Sequence, residues 1–367
     1  MSSRTKIRYA VVGTGWFAQA AVLPGFRNAA NSTLEAIVSG DPVKRQALGK
    51  TYGVSAHSYE EYESLLASGR IDAVYIVLPN SLHREYTLAA AKHKIHVLCE
   101  KPLAASVAEC REMIAACREN KVRLMTAYRL HLESANLAAI ELLEGGKIGE
   151  RRAYHGMLTQ QVREGNTRLR ADTAGNPLTD LGIYCINAAR YLFQDDPVEV
   201  SAFVAWGSDP RFEVVPEMVT GMMRFPGDRL ATFACGFGEA SVSEYRVIGT
   251  KGDLRLEDAF TFQDGATMHA TVDGETETTK FDSHDQVGAE IDYFADCILN
   301  DVNPEPDGNE GLIDMMIVEA IEQSYKTGRT VELGGFPEKI RPAGDQEYKF
   351  SPTKKPELVN AASPEPE

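Results

Sequence analysis

Long apolar runs and paired cysteines are both missing from this sequence. No run approaches the ~18 apolar residues that a membrane-spanning helix requires, although 43% of the 367 residues are hydrophobic. The amino-terminal residues lead into a strand-like segment without the apolar stretch of a signal peptide. The six cysteines include no CxxC pair, which argues against a zinc site or a disulfide framework. We therefore expect a cytoplasmic protein with reduced thiols.

Positive charge is also scarce. There are 38 Lys and Arg residues against 53 Asp and Glu residues, so the net charge is −15. Such a surface repels phosphate backbones and anionic lipid, and no basic patch interrupts it. The histidines have no metal-ligand spacing, and no nucleophile motif of the G-x-S-x-G type is present. These observations predict a protein that acts on a small molecule and binds no nucleic acid, no membrane and no metal.

The hydrophobic pattern divides the chain into two domains and a tail. Residues 1–127 alternate apolar strands with helical segments, which predicts an α/β domain with a doubly wound parallel sheet of the Rossmann type. Residues 128–335 contain alternating segments separated by turn residues, which predict an α+β domain with an open, largely antiparallel sheet. Residues 336–367 are rich in proline and charge, and we expect their end to be disordered.

A glycine motif stands between the first predicted strand and the first predicted helix. Gly13, Gly15 and Ala18 fit the pattern G-x-G-x-x-[GA], with Trp16 and Phe17 inside it. Gly13 allows a tight turn, Gly15 lets a pyrophosphate approach the backbone, and the helix amino terminus attracts the negative charge. A simple glycine turn is the alternative, but the β/α context favours dinucleotide binding.

The residues at the end of the second predicted strand indicate which of the two nicotinamide cofactors, NAD or NADP, is bound. Enzymes that use NAD usually carry a carboxylate there for the ribose 2′-hydroxyl. This strand ends at Ser39 and Gly40, whereas Asp41 is expected to cap the next helix. Lys44 and Arg45 follow on the first turn of that helix and suit a 2′-phosphate. The pattern favours NADP, and the alternative is that both cations form a solvated helix face.

Two further motifs carry a resemblance to a known family. The segment Cys99-Glu100-Lys101-Pro102-Leu103 closes a buried strand, and Thr179-Asp180-Leu181-Gly182-Ile183-Tyr184 lies downstream. With the glycine motif, over roughly residues 6–335, the chain resembles the glucose–fructose oxidoreductase / inositol dehydrogenase / rhizopine-catabolism family. Within it, the chain is most similar to the glucose–fructose and aldose–aldose oxidoreductases.

The resemblance implies a set of site residues. Asp180 and Tyr184 match the carboxylate and the acid/base of the substrate pocket, and Lys101 matches the lysine of the EKP motif. Arg168 lies in a stretch that borders the presumed sugar pocket, where Thr167 and the segment Gly175-Asn176-Pro177 depart from the family pattern. The positions that match cofactor-binding residues are Gly13, Gly15, Trp16, Phe17, Ser39, Gly40, Lys44, Tyr59, Leu78, Pro79, Asn80, His83, Glu100, Lys101 and Arg129.

The chemistry of sugar oxidation agrees with these roles. Oxidation at C1 removes a hydride to nicotinamide and a proton from the anomeric hydroxyl. A phenol is a weak base at neutral pH, so a nearby cation such as Lys101 would help Tyr184 to accept that proton. Asp180 lies four residues before Tyr184, a spacing that places both on one helix face. The alternative for such a tyrosine is that its ring packs in the core.

The resemblance therefore implies an NADP-dependent aldose oxidoreductase. Two versions are open: the oxidation of one aldose coupled to the reduction of another, or a simple glucose or xylose dehydrogenase. Reduction of a dicarbonyl or anhydro-sugar is another enzymatic alternative, and a non-catalytic dinucleotide sensor is an alternative of a different class. A homodimer or homotetramer through the antiparallel sheet is also implied.

Overall fold

The computed structural model describes residues 6–262 and 264–366, which form two compact units. The first unit comprises the chain up to Arg129 together with residues 285–312 and 348–363. The second unit comprises residues 130–284 and 313–347 and the chain from Pro364. The division expected from sequence was contiguous, but two later segments pack against the first unit. Sequence periodicity cannot show which sheet such a segment joins.

The first unit is built on a parallel sheet of six strands. Their order is β3-β2-β1-β4-β5-β6, and every neighbouring pair is parallel. The residues of the central strand β4 are all buried, as expected for a sheet covered on both faces. The predicted doubly wound Rossmann sheet is confirmed. The strands are β1 (Ile7–Val12), β2 (Ser32–Val38), β3 (Ser55–His57), β4 (Ala73–Ile76), β5 (His96–Glu100) and β6 (Leu124–Ala127).

Helices connect these strands, and the first of them is irregular. The segment predicted as one helix is π-helical over Ala18–Val22 and continues as the short α1 (Leu23–Gly25). Single π-helical turns are frequent at functional sites. The other helices up to β6 are α2 (Pro42–Tyr52), α3 (Tyr62–Ala67), α4 (His83–Lys92) and α5 (Val107–Asn120).

The second unit contains a sheet of nine strands. The order is β14-β13-β12-β11-β7-β10-β9-β8-β15, and β10 with β7 is its parallel pair. The open, largely antiparallel sheet expected from sequence is confirmed. Its strands are β7 (Arg151–Gln161), β8 (Glu199–Ala205), β9 (Met218–Phe225), β10 (Arg229–Gly236), β11 (Gly238–Gly249), β12 (Gly252–Glu257), β13 (Ala266–Val272), β14 (Glu275–Phe281) and β15 (Val331–Glu332).

Four more α-helices lie in the described part of the chain. They are α6 (Ser134–Glu144), α7 (Ile183–Phe193), α8 (Gln286–Leu299) and α9 (Gly308–Thr327). A second π-helical segment, Leu178–Gly182, precedes α7 directly. Helix α8 belongs to the first unit and contacts β1, β2 and β5. Within the described ranges, no helix is both long and apolar enough to cross a membrane.

Candidate active site

The glycine motif forms a tight turn at the end of β1. Gly13 has a φ of +99°, and a Cβ at this position would meet Val77 O at 2.3 Å, so only glycine fits. At Gly15, nothing described beyond its chain neighbours lies within 4 Å of the position that a Cβ would occupy. The backbone of this turn is therefore open to a bulky anion at the start of a helical segment, where N–H groups point outward. Trp16 and Phe17, both half-buried, lead into that segment.

The end of β2 presents hydroxyl and backbone groups. Ser39 is buried, and its Oγ accepts a hydrogen bond of 2.6 Å from the Thr14 hydroxyl of the glycine motif. The Asp41 carboxylate accepts the backbone N–H of Val43 at 2.8 Å and that of Lys44 at 3.3 Å. Asp41 therefore caps α2, as the sequence predicted, and the helix dipole adds to this stabilisation.

The ring of Tyr59 lies against Gly40 at the end of β2. A Cβ on Gly40 would approach the Tyr59 ring to 3.1 Å, so the ring packs directly on the glycine backbone. Arg45 Nη1 donates to Ser39 O at 2.7 Å, which commits this cation to the strand end. Sequence reasoning had considered Arg45 only as a phosphate-facing or solvated charge. Lys44, next to it, is half-exposed on the first turn of α2.

The glycine turn and the end of β2 together form what we call the cofactor cradle, and the C-terminal tail contacts both parts of it. The side-chain amide of Gln19 donates to Val359 O at 3.0 Å and accepts from Val359 N at 2.7 Å. The same amide donates to Thr14 O at 2.9 Å. Asn360 donates to Asp41 Oδ2 at 2.9 Å, and this hydrogen bond lowers the pKa of Asp41. Sequence reasoning missed these contacts because no local motif indicates them.

A buried histidine shapes the loop that follows β4. Its Nε2 lies 2.9 Å from Leu78 O, and its Nδ1 lies 2.9 Å from Pro102 O. His83 is fully buried, and burial lowers its pKa. The histidine thus links this loop to the Glu100-Lys101-Pro102 motif through backbone carbonyls. Pro79 and Asn80, the other predicted loop residues, begin the 3₁₀ turn Asn80–Leu82.

The EKP motif stands at the carboxyl end of β5. The Tyr75 hydroxyl donates to Glu100 Oε1 at 2.7 Å, and the backbone N–H of Lys101 also donates to the Glu100 carboxyl group. Burial raises the pKa of Glu100, against the opposing effects of these hydrogen bonds and of Lys101 and Arg129. The Arg129 guanidinium is 5% exposed and hydrogen-bonds Gln286 of α8. Gln286 is a neighbour that no sequence motif indicated.

The second unit carries the other predicted catalytic residues. Asp180 lies in the π-helical segment Leu178–Gly182, and Tyr184 lies on the first turn of α7, 6.2 Å between ring centroids from Phe260. Arg168 Nε donates to Asp180 Oδ2 at 2.5 Å. Both side chains remain partly accessible, at 28% and 18%. The predicted carboxylate is therefore oriented by an arginine within its own unit.

A glycine makes this ion pair possible. A Cβ on Gly175 would meet Arg168 O at 2.3 Å, so the loop that carries Arg168 packs against the chain just before the π-helical segment. The segment Gly175-Asn176-Pro177 departs from the family pattern, yet it keeps glycine where the close approach requires it. Asn176 Oδ1 accepts the Leu178 N–H at 2.8 Å, which fixes the turn that leads into the segment.

The residues of the first unit suit a dinucleotide. They combine an open glycine turn, a helical amino terminus, a buried serine at the end of β2 and an adjacent lysine. No group of His, Cys, Asp or Glu among the described residues could hold a metal ion. A dinucleotide-binding sheet with a second unit that carries a tyrosine, a carboxylate and an arginine defines a class of oxidoreductases.

Comparison with known proteins identifies the family. The model of an oxidoreductase family with an NAD-binding Rossmann fold matches residues 7–128. The model of the GFO/IDH/MocA C-terminal domain matches residues 136–255. The chain belongs to the GFO/IDH/MocA family of oxidoreductases, as the sequence motifs predicted.

Individual relatives span almost the whole chain. An NADP⁺-dependent D-xylose 1-dehydrogenase of Haloarcula marismortui is 33% identical over 89% of this chain and 93% of its own length. A crystal structure of aldose–aldose oxidoreductase from Caulobacter crescentus with glycerol is 35% identical, with a TM-score of 0.86 over 89% of this chain and 100% of that chain. A 3-ketoreductase variant from Actinomadura kijaniata, solved with TDP-benzene and NADP, is 26% identical with a TM-score of 0.80 over 87% and 98%.

Proposed function

We propose that the protein is an NADP-dependent aldose oxidoreductase that transfers a hydride between C1 of an aldose and the nicotinamide. The names of the xylose dehydrogenase and the aldose–aldose oxidoreductase support this substrate class. Whether one aldose is oxidised while another is reduced, or NADPH is released after each turnover, distinguishes two versions of this function. The cytoplasm remains the proposed compartment, on the cysteine usage described above.

The choice of NADP as cofactor rests on the hydrogen bonds that the Asp41 carboxylate already accepts from protein groups. Its carboxylate caps α2 and accepts a hydrogen bond from Asn360, so both oxygens are engaged by protein groups. The end of β2 therefore offers Ser39 and the backbone of Gly40, with Lys44 beside them. A hydroxyl and a cation stabilise a 2′-phosphate, whereas a ribose 2′-hydroxyl is usually held by a carboxylate.

The proposed catalytic roles follow from the residue chemistry. NADP, when bound, supplies the ring that accepts or returns the hydride. Tyr184 takes the proton of the anomeric hydroxyl, and the positive charge of Lys101 stabilises the negative charge that develops on the substrate oxygen as the hydride leaves. Arg168 holds the Asp180 carboxylate in one orientation, in which it can accept a hydrogen bond from a sugar hydroxyl.

The first experiment is the absorption spectrum of the purified protein loaded with NADP, before and after addition of an aldose. The reduced-nicotinamide band is expected after glucose or xylose. If the band stays with the protein on gel filtration and a second aldose removes it, the two-aldose version holds. If the band passes into the small-molecule fraction, the simple dehydrogenase version holds. No band with any aldose would contradict the proposed function.

Two variants test the assigned roles. Tyr184→Phe is expected to lower kcat by ~10²–10⁴-fold, because no group would then take the proton, while NADP binding persists. Lys101→Met is expected to lower kcat by ~10²-fold or more, since it keeps the length but not the charge. Lys280→Met, an exposed position on β14, is the control and should behave as wild type. Single-turnover hydride transfer at saturating aldose measures all three, and a normal rate in either site variant would remove that residue from the mechanism.

We also propose that the nine-stranded sheet pairs two copies of the chain. Phe203, Met222, Leu230 and Met157 are 79%, 47%, 38% and 40% exposed on four neighbouring strands. The strand register places all four on the same outer face of the sheet. An apolar patch of this kind is typical of an interface. Phe203→Asp should shift sedimentation towards the monomer, whereas Val302→Asp, at another exposed apolar position, should not; an unchanged Phe203→Asp assembly would contradict the proposal.

A further inference from the structure

A second acid lies behind the EKP motif in the first unit. Glu290, on α8, is 1% exposed, and its Oε2 lies 3.4 Å from the Tyr75 hydroxyl. The same hydroxyl lies 2.7 Å from Glu100 Oε1. Tyr75 is fully buried on β4 and Glu100 is half-buried, so the three side chains form a chain of groups that starts in the core. No sequence motif includes Glu290, which is 190 positions from Glu100.

The hydroxyl of Tyr75 has one proton to share between two acids. The short contact assigns that proton to Glu100, because the 2.7 Å distance is typical of a good O–H···O hydrogen bond. The contact with Glu290 can then be a hydrogen bond only if the acid donates and the phenolic oxygen accepts. An ionised Glu290 would instead turn a lone pair towards another lone pair.

The surrounding charges favour the same arrangement. Burial raises the pKa of Glu290 well above its ordinary value, and the negative charges of Glu100 and Asp285 add to this, while Arg129 and Tyr75 act in the opposite direction. No described group donates a hydrogen bond to Glu290 Oε1, the other oxygen of the same carboxyl group. A buried carboxylate without such a donor is costly, whereas a neutral acid is tolerated. Arg129 acts on both acids, and Lys101 also acts on Glu100.

This chain of groups ends at the catalytic lysine. The Glu100 carboxyl group accepts the backbone N–H of Lys101, so the orientation of Glu100 fixes the backbone from which the lysine side chain starts. Tyr75 holds Glu100 in that orientation, and Glu290 holds the Tyr75 hydroxyl. A change at Glu290 therefore reaches the backbone of Lys101 through three hydrogen bonds.

We propose that Glu290 is a positioning residue that remains protonated in the folded enzyme and donates its proton to Tyr75, so that Tyr75 and Glu100 hold Lys101 in its working position. The activity arm of this inference rests on the proposed function. The protonation of Glu290 does not, and it can be measured without substrate.

The substrate-free test uses Glu290→Gln, whose amide replaces the neutral acid in shape and as a donor. A carboxyl group whose pKa is raised on folding contributes stability at low pH and loses it as the pH rises towards the folded value. Glutamine does not titrate, so the variant should gain stability relative to wild type from roughly pH 4.3 upward. Infrared spectra should show a protonated carboxylic acid band at neutral pH in wild type that the variant lacks. Parallel stability curves and no such band would overturn the proposal.

The activity test compares Glu290→Gln with Glu290→Leu and Tyr75→Phe. The glutamine variant should keep kcat within about twofold of wild type, whereas the other two should lower kcat by tenfold or so, with a small change in NADP affinity, because a misplaced catalytic group affects the chemical step. Tyr75→Phe keeps the ring and covers the case in which Glu290→Leu does not fold. Equal losses in the glutamine and leucine variants, or none in Tyr75→Phe, would overturn the positioning role. If wild type shows no aldose turnover, the proposed function fails while the infrared and stability readouts still decide the state of Glu290.

Discussion

Each unit contains a cluster of charged side chains in its interior. In the second unit the acids of the cluster are paired with cations, whereas in the first unit two acids lie close together. In the second unit, Arg190 and Asp314 are both fully buried and paired at 2.5 Å, and Arg190 also donates to Asp196 at 2.8 Å. In the first unit, Glu100 and Glu290 share one hydroxyl, and Arg129 is the cation that faces them both.

The balance of charge decides the titration of each cluster. Burial by itself would raise the pKa of Asp196, but Arg190 and Lys339 outweigh it and lower the pKa to about 2. Burial raises the pKa of Glu290, and the nearby cation does not reverse it. Charge pairing therefore keeps Asp196 ionised in the second unit, whereas deep burial and neighbouring acids favour the neutral form of Glu290 in the first.

The largest loss of stability is expected from removing Arg190, the cation at the centre of the cluster in the second unit. Arg190→Met should cost about 3–5 kcal/mol of unfolding free energy, because it leaves the buried Asp314 without its cation. Arg170→Met removes an exposed pair with Asp172, whose side chains are 58% and 66% exposed, and should leave the free energy of unfolding almost unchanged. Urea denaturation measures both. Similar costs for the two variants would contradict the importance of burial here.

A second test follows the pH dependence of the same cluster. The pKa of Asp196 is lowered on folding, so its contribution is present above the unfolded value near ~3.9 and is lost as the pH falls towards 2. Wild type should therefore lose about 2 kcal/mol more than Asp196→Asn between pH 5 and pH 2. The exposed Asp228→Asn is the control. If Asp196→Asn loses as much as wild type, the pairing does not govern acid unfolding.

The preference for NADP at the end of β2 is tested by adding an acidic side chain where the 2′-phosphate is proposed to bind. Ser39→Asp should weaken NADP by about tenfold, since two like charges at ~6 Å repel by about 1–2 kcal/mol in a partly solvated site. Ser39→Asn removes the hydroxyl without adding charge and should lose less. Calorimetry with NADP and NAD measures the preference. Tighter NAD binding to the unmodified protein would show that the interpretation of Ser39 and Lys44 is wrong.

The smallest effect is expected in the tail. Val359→Pro removes the N–H that donates to Gln19, and one such hydrogen bond contributes about 1 kcal/mol. NADP should therefore dissociate a few times faster, because Gln19 also holds the Thr14 carbonyl of the glycine turn. Glu357→Pro changes an exposed tail position and is the matched control. Equal dissociation rates in the two variants would mean that the tail does not act on the cradle.

The local features of the cofactor cradle were accessible from the sequence. A turn that needs Gly13, an amino-terminal cap at Asp41 and the alternation of strands and helices each depend on neighbouring residues. The EKP motif and the helix with Tyr184 were recognised by resemblance. Two π-helical segments were not foreseen, because a pattern of apolar spacing does not distinguish i→i+5 from i→i+4 hydrogen bonding over a few residues.

Contacts distant in the chain were beyond the reach of that reasoning. Residue types and spacing were enough for the sheet class, the dinucleotide motif and the family, since these depend on short segments with characteristic periods. The pairing of Glu290 with Tyr75, of Arg190 with Asp314 and of Asn360 with Asp41 joins positions 124 to 319 residues apart. Whether a buried acid keeps or loses its proton depends on which cation the folded chain brings beside it, and packing alone sets that distance.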